Sequence, residues 1–206
     1  MRFLVIAMAC LCGGPAFGIG AAFPPSATFI LWNVPLSEQT TNYSCGAAAM
    51  QSVLGYYGHD YTEAALIKEL GTDAAKGTDH HRMTELATKL GLRAELRTGL
   101  QPSDLAAAIN RGQPAIVEAQ AWLDAAQQGK PWADLWDSGH YMVVIGIDDK
   151  NVYFADPSAG RKHGFIPLEE FVQRWHDLDW NNKKLTHTAI LFDGEPRPAA
   201  QWVKVP

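Results

Sequence analysis

The stretch 141–155 constrains this chain more than any other. It reads Tyr141-Met-Val-Val-Ile-Gly-Ile147, then Asp148-Asp149-Lys150, then Asn151-Val-Tyr-Phe-Ala155. A strongly apolar run, a polar turn and a second strand-like run make a β-hairpin signature. Two polar side chains stand at its open end. His140 opens the first strand, directly after Asp137-Ser138-Gly139, and Asp156 ends the second, just before Pro157. The turn centres near Asp149, so the hairpin sets His140 and Asp156 at matching distances from it. Asp148 and Asp149 lie at the turn itself and read as solvated turn residues.

The order of the other elements sets the fold class. Thr28–Val34 is a strand-like run ending at Pro35, and Ser37–Ser44 is a polar loop. A helix is predicted over Cys45–Tyr57, with Ala47, Met50, Leu54 and Tyr57 on one face and Gly58 ending it. A second covers Tyr61–Leu70, stopped by Gly71. Thr78 or Asp79 can cap a third that runs to Leu90. Arg93–Arg97 is a short strand. A fourth helix covers Pro102–Arg111, with Pro near its start and Gly112 past its end. Strand-like Pro114–Gln120 follows, then the irregular, Trp-rich insertion Trp122–Ser138. After the hairpin come a strand at Phe165–Ile166, a helix over Pro167–His176 and a last strand over His187–Phe192. Helices first and antiparallel strands second predict an α+β fold, with an N-terminal helical half and a C-terminal antiparallel sheet half. At roughly 100–200 residues per domain, a chain of 206 is read as one domain. With 47% hydrophobic and 19% charged residues it is not a disordered chain. A net charge of -5 without a long basic run excludes a nucleic-acid footprint.

At the N-terminus, Arg2 precedes an uncharged apolar run from Phe3 to Phe23. Its most apolar part, Phe3–Cys12, has the length of an export-signal core. Gly13-Gly14-Pro15 breaks it, and small residues follow at Gly18, Gly20, Ala21 and Ala22. The expectation is a cleaved signal peptide over 1–22, a single domain over 23–206, and a periplasmic or secreted protein. Left uncleaved, the run is just long enough to span a bilayer, and membrane contact is expected only in that case. Cys10 and Cys12 fall inside the segment, so Cys45 is the one thiol of the mature chain. A lone thiol in an oxidising compartment is a liability unless buried or useful.

Cys45 stands where a loop becomes a helix. A thiolate there faces the positive end of the helix dipole and free backbone N–H groups, which favour its charged form. Gly46 and Ala47 keep the approach to the sulfur uncluttered. By position alone Cys45 reads equally well as a small buried hydrophobe. His140, at a strand mouth, can take a thiol proton and return it to a leaving group. Asp156 can fix the imidazole tautomer, although Asp-Pro is also a common turn initiator. Gln39, six residues before Cys45, can donate to an oxyanion together with the Cys45 N–H. His80-His81, with His59 nearby, fits no strong zinc spacing, and neighbouring helix positions face different ways. They read as solvated helix histidines. Trp122, Trp132 and Trp136 read as a groove beside His140 or, slightly preferred, as packing within the insertion. His163, His176 and His187 gain no partner from the sequence. No cofactor or metal is implied.

Taken together, Gln39-Thr-Thr-Asn-Tyr-Ser-Cys45-Gly-Ala-Ala, Tyr56-Tyr57-Gly58, His140-Tyr-Met-Val-Val-Ile-Gly-Ile-Asp148 and Val152-Tyr-Phe-Ala-Asp156-Pro resemble the bacteriocin-processing, double-glycine-type cysteine peptidases. The resemblance runs over Leu31–Ile166. It implies a papain-like fold and a peptide or protein substrate. It makes Cys45 the nucleophile, His140 the general base, Asp156 the orienting carboxylate and Gln39 the oxyanion donor. The stretch from Gly164-Phe-Ile-Pro167 to Arg174-Trp-His176 looks like exported stand-alone members. The best-known members are N-terminal domains of export transporters, and no transporter segment or nucleotide-binding motif is visible here. The Trp122–Ser138 insertion also lengthens the route from Cys45 to His140. Both departures bear on leader specificity and leave the catalytic set intact. The expected function is an exported cysteine endopeptidase, with cleavage after a small-residue or double-glycine site among its options. The alternatives are an acyltransferase or transpeptidase using the same groups, and a non-catalytic peptide-binding module of a secretion system. Some transporter-linked relatives lack the cysteine and only bind substrate, whereas Cys45 is retained here.

Overall fold

The computed structural model describes residues 29–198, so the predicted signal segment lies outside the described residues. Helix α1 (Cys45–Tyr56) has ten of its twelve residues buried, and it is therefore a central helix and not an amphipathic surface one. Its sequence, CGAAAMQSVLGY, supplies small residues at the start and larger apolar ones later. Four further helices follow: α2 (Glu63–Leu70), α3 (His80–Lys89), α4 (Pro102–Asn110) and α5 (Leu168–Arg174). Their ends obey local chemistry. Thr62 accepts from the Ala65 N–H at 3.2 Å to start α2, and Gly71 (φ +57°) ends it in the left-handed region. Asp79, not Thr78, caps α3 by accepting from the His81 N–H at 2.9 Å. Pro102 opens α4, and Asp104 reaches back to the Gln101 N–H at 2.8 Å.

The strands are β1 (Arg93–Arg97), β2 (Ala115–Gln120), β3 (Gly139–Ile147), β4 (Asn151–Ala155), β5 (His163–Pro167), β6 (His176–Leu178), β7 (Lys184–Thr186) and β8 (Ala189–Asp193). Six form one antiparallel sheet in the order β1-β8-β2-β3-β4-β5, while β6 and β7 pair separately. Strand β2 is buried along its length, and so is β3 from Met142 onward. That explains an apolar run where a half-exposed strand would alternate. The edge strand β1 (RAELR) carries charges that discourage pairing with other chains. Phe171 of α5 stacks on Trp175 at the helix end and meets Phe154 of β4 at a tilt, and one contiguous core joins them to Met50, Leu54, Leu66, Met83 and Val143–Ile145. Each fully buried side chain of this kind stabilises by about 1.5–3 kcal/mol.

The α+β reading holds, with β1 intercalated among the helices. Three local readings change. Within Thr28–Val34, the described part forms only a single bridge, Ile30 opposite Gly146, with Leu31 N–H donating to Ile145 O at 2.8 Å. There β3 bulges between Val144 and Gly146. A Cβ on Gly146 would come within 2.9 Å of the Ile30 side chain, so glycine admits the crossing segment. The helix predicted over Pro167–His176 ends at Arg174, because His176 begins β6. Strands of three residues such as β6 and β7 carry too little pattern to be read from sequence.

Candidate active site

The open end of the hairpin brings His140 and Asp156 together. The β3–β4 ladder runs from Ile147 opposite Val152 to Val143 opposite Ala155. Continued one step, it sets Asp156 opposite Met142, not opposite His140. The bulge narrows the offset, because the register next to the turn, continued unbroken, would set Asp156 opposite Val143. His140 shares a face with Met142, so it meets Asp156 along the cross-strand diagonal, a distance that long side chains bridge. The contact is a 2.7 Å hydrogen bond between His140 Nε2 and Asp156 Oδ1.

Asp156 is itself organised by Ser158, which the sequence reading did not single out. The Ser158 N–H and hydroxyl donate to the same Oδ1 at 2.8 and 2.9 Å. The hydroxyl oxygen also lies 3.4 Å from His140 Nε2. Asp-Pro-Ser is a natural Asx turn, and that local chemistry would have pointed to Ser158. Burial opposes the Asp156 charge, but the bond to His140, its charge and the Ser158 donors outweigh it. They hold the carboxyl below its ordinary range.

His140 is 2% exposed, and its Nδ1 is buried without a conventional hydrogen-bond partner. Burial alone would favour the neutral ring. The Asp156 bond and the neighbouring Cys45 sulfur dominate and push the imidazole up to about 9. One ring nitrogen is thus committed to a carboxylate, and the ring also interacts with a thiol. The indole of Trp122, half exposed, lies against the imidazole at 4.7 Å between centroids. Trp122 therefore belongs to the site. Trp132 lies under the Arg174 guanidinium and Trp136 against His176, so those two pack the insertion. Arg174 also donates to Gln120 O and Ala121 O, fixing the end of β2 beside Trp122.

Cys45 is the first residue of α1, where backbone N–H groups have no intrahelical acceptor. It is 8% exposed and forms no disulfide. The loop before it is tightly bonded. Thr40 N–H donates to the Glu63 carboxylate at 2.9 Å, Thr41 hydroxyl to Ser44 Oγ at 2.7 Å, and Ser37 N–H to Ser52 Oγ at 3.2 Å. Gln39 N–H donates to Pro157 O at 3.0 Å, which ties this loop to the residue after Asp156. The Gln39 amide Nε2 donates to Thr41 O at 2.7 Å, and Oε1 is buried without a partner. The amide has a second hydrogen to offer, and it is held by the loop, not by Cys45 or His140.

Gly46 is sterically required. An added Cβ would stand 2.6 Å from the Thr78 Cβ and 3.1 Å from the Tyr141 ring. Gly46→Ala is expected to destabilise the protein by about 1–3 kcal/mol and to displace Cys45. Denaturant unfolding measures the first effect, and thiol labelling of the folded variant measures the second.

One histidine reading is corrected. His80 is not solvated but 3% exposed, with Nδ1 2.6 Å from Glu118 Oε1, because the first turn of α3 docks against the sheet. His81 is exposed and His59 half-buried. His176 and His187 bond the carbonyls of Leu135 and Leu100, and His163 lies edge-on to Trp32.

Comparison with known proteins places this geometry. The sequence model of the Peptidase_C39-like family matches residues 31–180. An uncharacterized protein of Methanothermobacter marburgensis is 33% identical over 124 residues, covering 60% of this chain and 72% of its own length. The transport/processing ATP-binding protein ComA of Streptococcus pneumoniae is 28% identical over 141 residues. That match covers 66% of this chain but only 17% of ComA. Among solved structures, one described as a C39-like peptidase from Bacillus anthracis superposes with a TM-score of 0.64 at 22% identity. It covers 84% of this chain and 100% of that one. The peptidase domain of Streptococcus ComA gives 0.55 at 23% identity, covering 79% and 99%. A double-glycine-motif protease of an AMS/PCAT transporter, solved with its leader peptide, gives 0.53 at 22% identity, covering 77% and 90%. The fold is that of these papain-like peptidases, and the chain belongs to the Peptidase_C39-like family.

Proposed function

We propose that this chain is an exported cysteine peptidase in which Cys45 is the nucleophile and His140 the proton carrier. The observation that carries the proposal is the state of His140: Nε2 bonded to Asp156, Nδ1 buried, and Cys45 close enough to shift its ionisation. Cys45 Sγ attacks a peptide carbonyl carbon, and negative charge develops on the carbonyl oxygen. The Cys45 N–H and the Gln39 amide are the donors suited to that oxygen. The C–N bond then breaks, and the imidazolium gives its proton to the leaving amine. A thioester remains. Water, giving its proton to the imidazole, attacks the thioester carbon, the C–S bond breaks, and the acid leaves with the thiolate and imidazolium restored. Asp156, fixed by Ser158, keeps the ring oriented throughout. The apolar segment ahead of the domain supports export. The transporter-linked relatives and the leader-peptide complex support a peptide substrate with small residues at the cleaved bond, and a secretion-system partner. The partner-dependent binding module is the weaker reading, because Cys45 is kept beside His140.

The thioester is the testable intermediate. Incubation with a peptide mixture is expected to give a transient mass increase on Cys45, which hydroxylamine removes. Adding a primary amine in excess distinguishes the two fates of the acyl group. Products carrying water mean hydrolysis, whereas products carrying the amine mean acyl transfer. Absence of any adduct and any product across small-residue and double-glycine peptides would overturn the peptidase assignment.

A further inference from the structure

Behind the Cys45–His140 pair lies a buried polar cluster that the mechanism above does not use. Glu118 of β2 is 3% exposed, and its Oε1 meets His80 Nδ1 at 2.6 Å and the Tyr141 hydroxyl at 2.9 Å. The Tyr141 hydroxyl also lies 3.0 Å from Thr78 O, and Thr78 Oγ1 lies 2.9 Å from Thr72 Oγ1. Burial disfavours a charged His80, yet the Glu118 bond and charge raise its pKa above the ordinary value, which favours the protonated ring in this contact. The other charges facing the cluster are Asp79 and Asp179 beside His80, and Asp177 of β6 beside Glu118 and Tyr141.

The placement of the cluster gives it a role. Thr78 and His80 come from the helical half, and Glu118 and Tyr141 from the sheet half. The same is true of Cys45 and His140, one from each half. Tyr141 follows His140 in β3, so its ring points away from the imidazole and reports the position of the strand backbone. Thr78 and the Tyr141 ring press against Gly46, the residue after Cys45. The cluster therefore clamps the backbone that carries the imidazole to the helical turn that carries the sulfur. A buried, mutually hydrogen-bonded set of polar groups adds little net stability, but breaking one contact leaves the others unsatisfied, so it favours one arrangement.

We propose that Glu118, held by His80 and acting through Tyr141, is a positioning residue that sets the spacing of Cys45 and His140. The inference rests on the peptidase reading above. The test uses the full chain with iodoacetamide as probe and the pH profile of Cys45 labelling as readout. Thermal unfolding identifies folded variants. Tyr141→Phe deletes one oxygen and keeps the ring against Gly46. It is expected to fold and to label at pH 6 about tenfold more slowly, the scale set by a misplaced reacting group. Glu118→Leu is expected to behave alike. Glu118→Gln keeps an acceptor for the Tyr141 hydroxyl and is expected to recover most of the rate. If folded Tyr141→Phe labels like the parent at every pH, with only a lower melting temperature, the cluster is merely structural and the proposal falls. If parent labelling is itself indifferent to His140→Ala, the peptidase reading fails and takes this proposal with it. The two failures are thereby distinguished.

Discussion

Cys45→Ala is expected to abolish peptide turnover, with a loss of about 10⁴-fold or more, while leaving the fold unchanged. The effect is the largest available because the substitution removes the atom that bonds to the acyl group. The fold survives because α1 already begins with small residues, and alanine has helix-forming ability that cysteine lacks. Circular dichroism and a melting curve matching the parent, together with background-level product by mass spectrometry, are the expected results. Substantial residual turnover in the folded variant would remove Cys45 from the mechanism.

The second large effect concerns His140. Only the thiolate reacts with iodoacetamide, and a cysteine with an ordinary pKa near 8.5 is under about 1% thiolate at pH 6. His140→Ala is therefore expected to slow labelling there by about 10²-fold. The same variant tests a stability effect with a defined sign. The imidazole is raised from 6.5 to about 9, so between those values the folded state holds a proton that the unfolded state has released. Stability from this group is complete below pH 6.5 and declines as pH rises through 9. In the parent, denaturant midpoints should fall across that interval. In His140→Ala the decline should be smaller. Parallel pH profiles for the two proteins would mean that the imidazole does not carry a proton in the folded site.

Much of the site was legible because its parts lie at element boundaries, where sequence patterns are strongest. Cys45 at a helix start, His140 at a strand mouth and Asp156 at a strand end are each marked by a change of hydrophobic period. The structure joins His140 to Asp156 by a hydrogen bond. The diagonal route follows from unequal arms, since His140 lies nine residues from Asp149 and Asp156 seven, and the bulge at Val144–Gly146, which nothing in YMVVIGI announces, narrows that gap. Ser158 escaped notice as one more polar residue after a proline. His80 and Glu118 were opaque for a different reason. Their meaning depends on a contact 38 residues apart in sequence, and a lone charged residue in a short strand looks like surface. The insertion shows a similar limit. Trp122, Trp132 and Trp136 are equivalent in composition, and only Arg174 and His176 sort the one at the site from the two that pack.

The burial of α1 divides the molecule into parts where substitution is costly and parts where it is cheap. Cys45 is mounted on a helix whose neighbours are the interior itself, so altering its surroundings means repacking the centre of the protein. Two segments are largely exposed or half-buried. The bonded loop 37–44 leads into Cys45, and the insertion 122–138 sets Trp122 against His140. On the peptidase reading proposed above, substrate preference is expected to respond to substitutions in these two segments more than to changes in the buried helix.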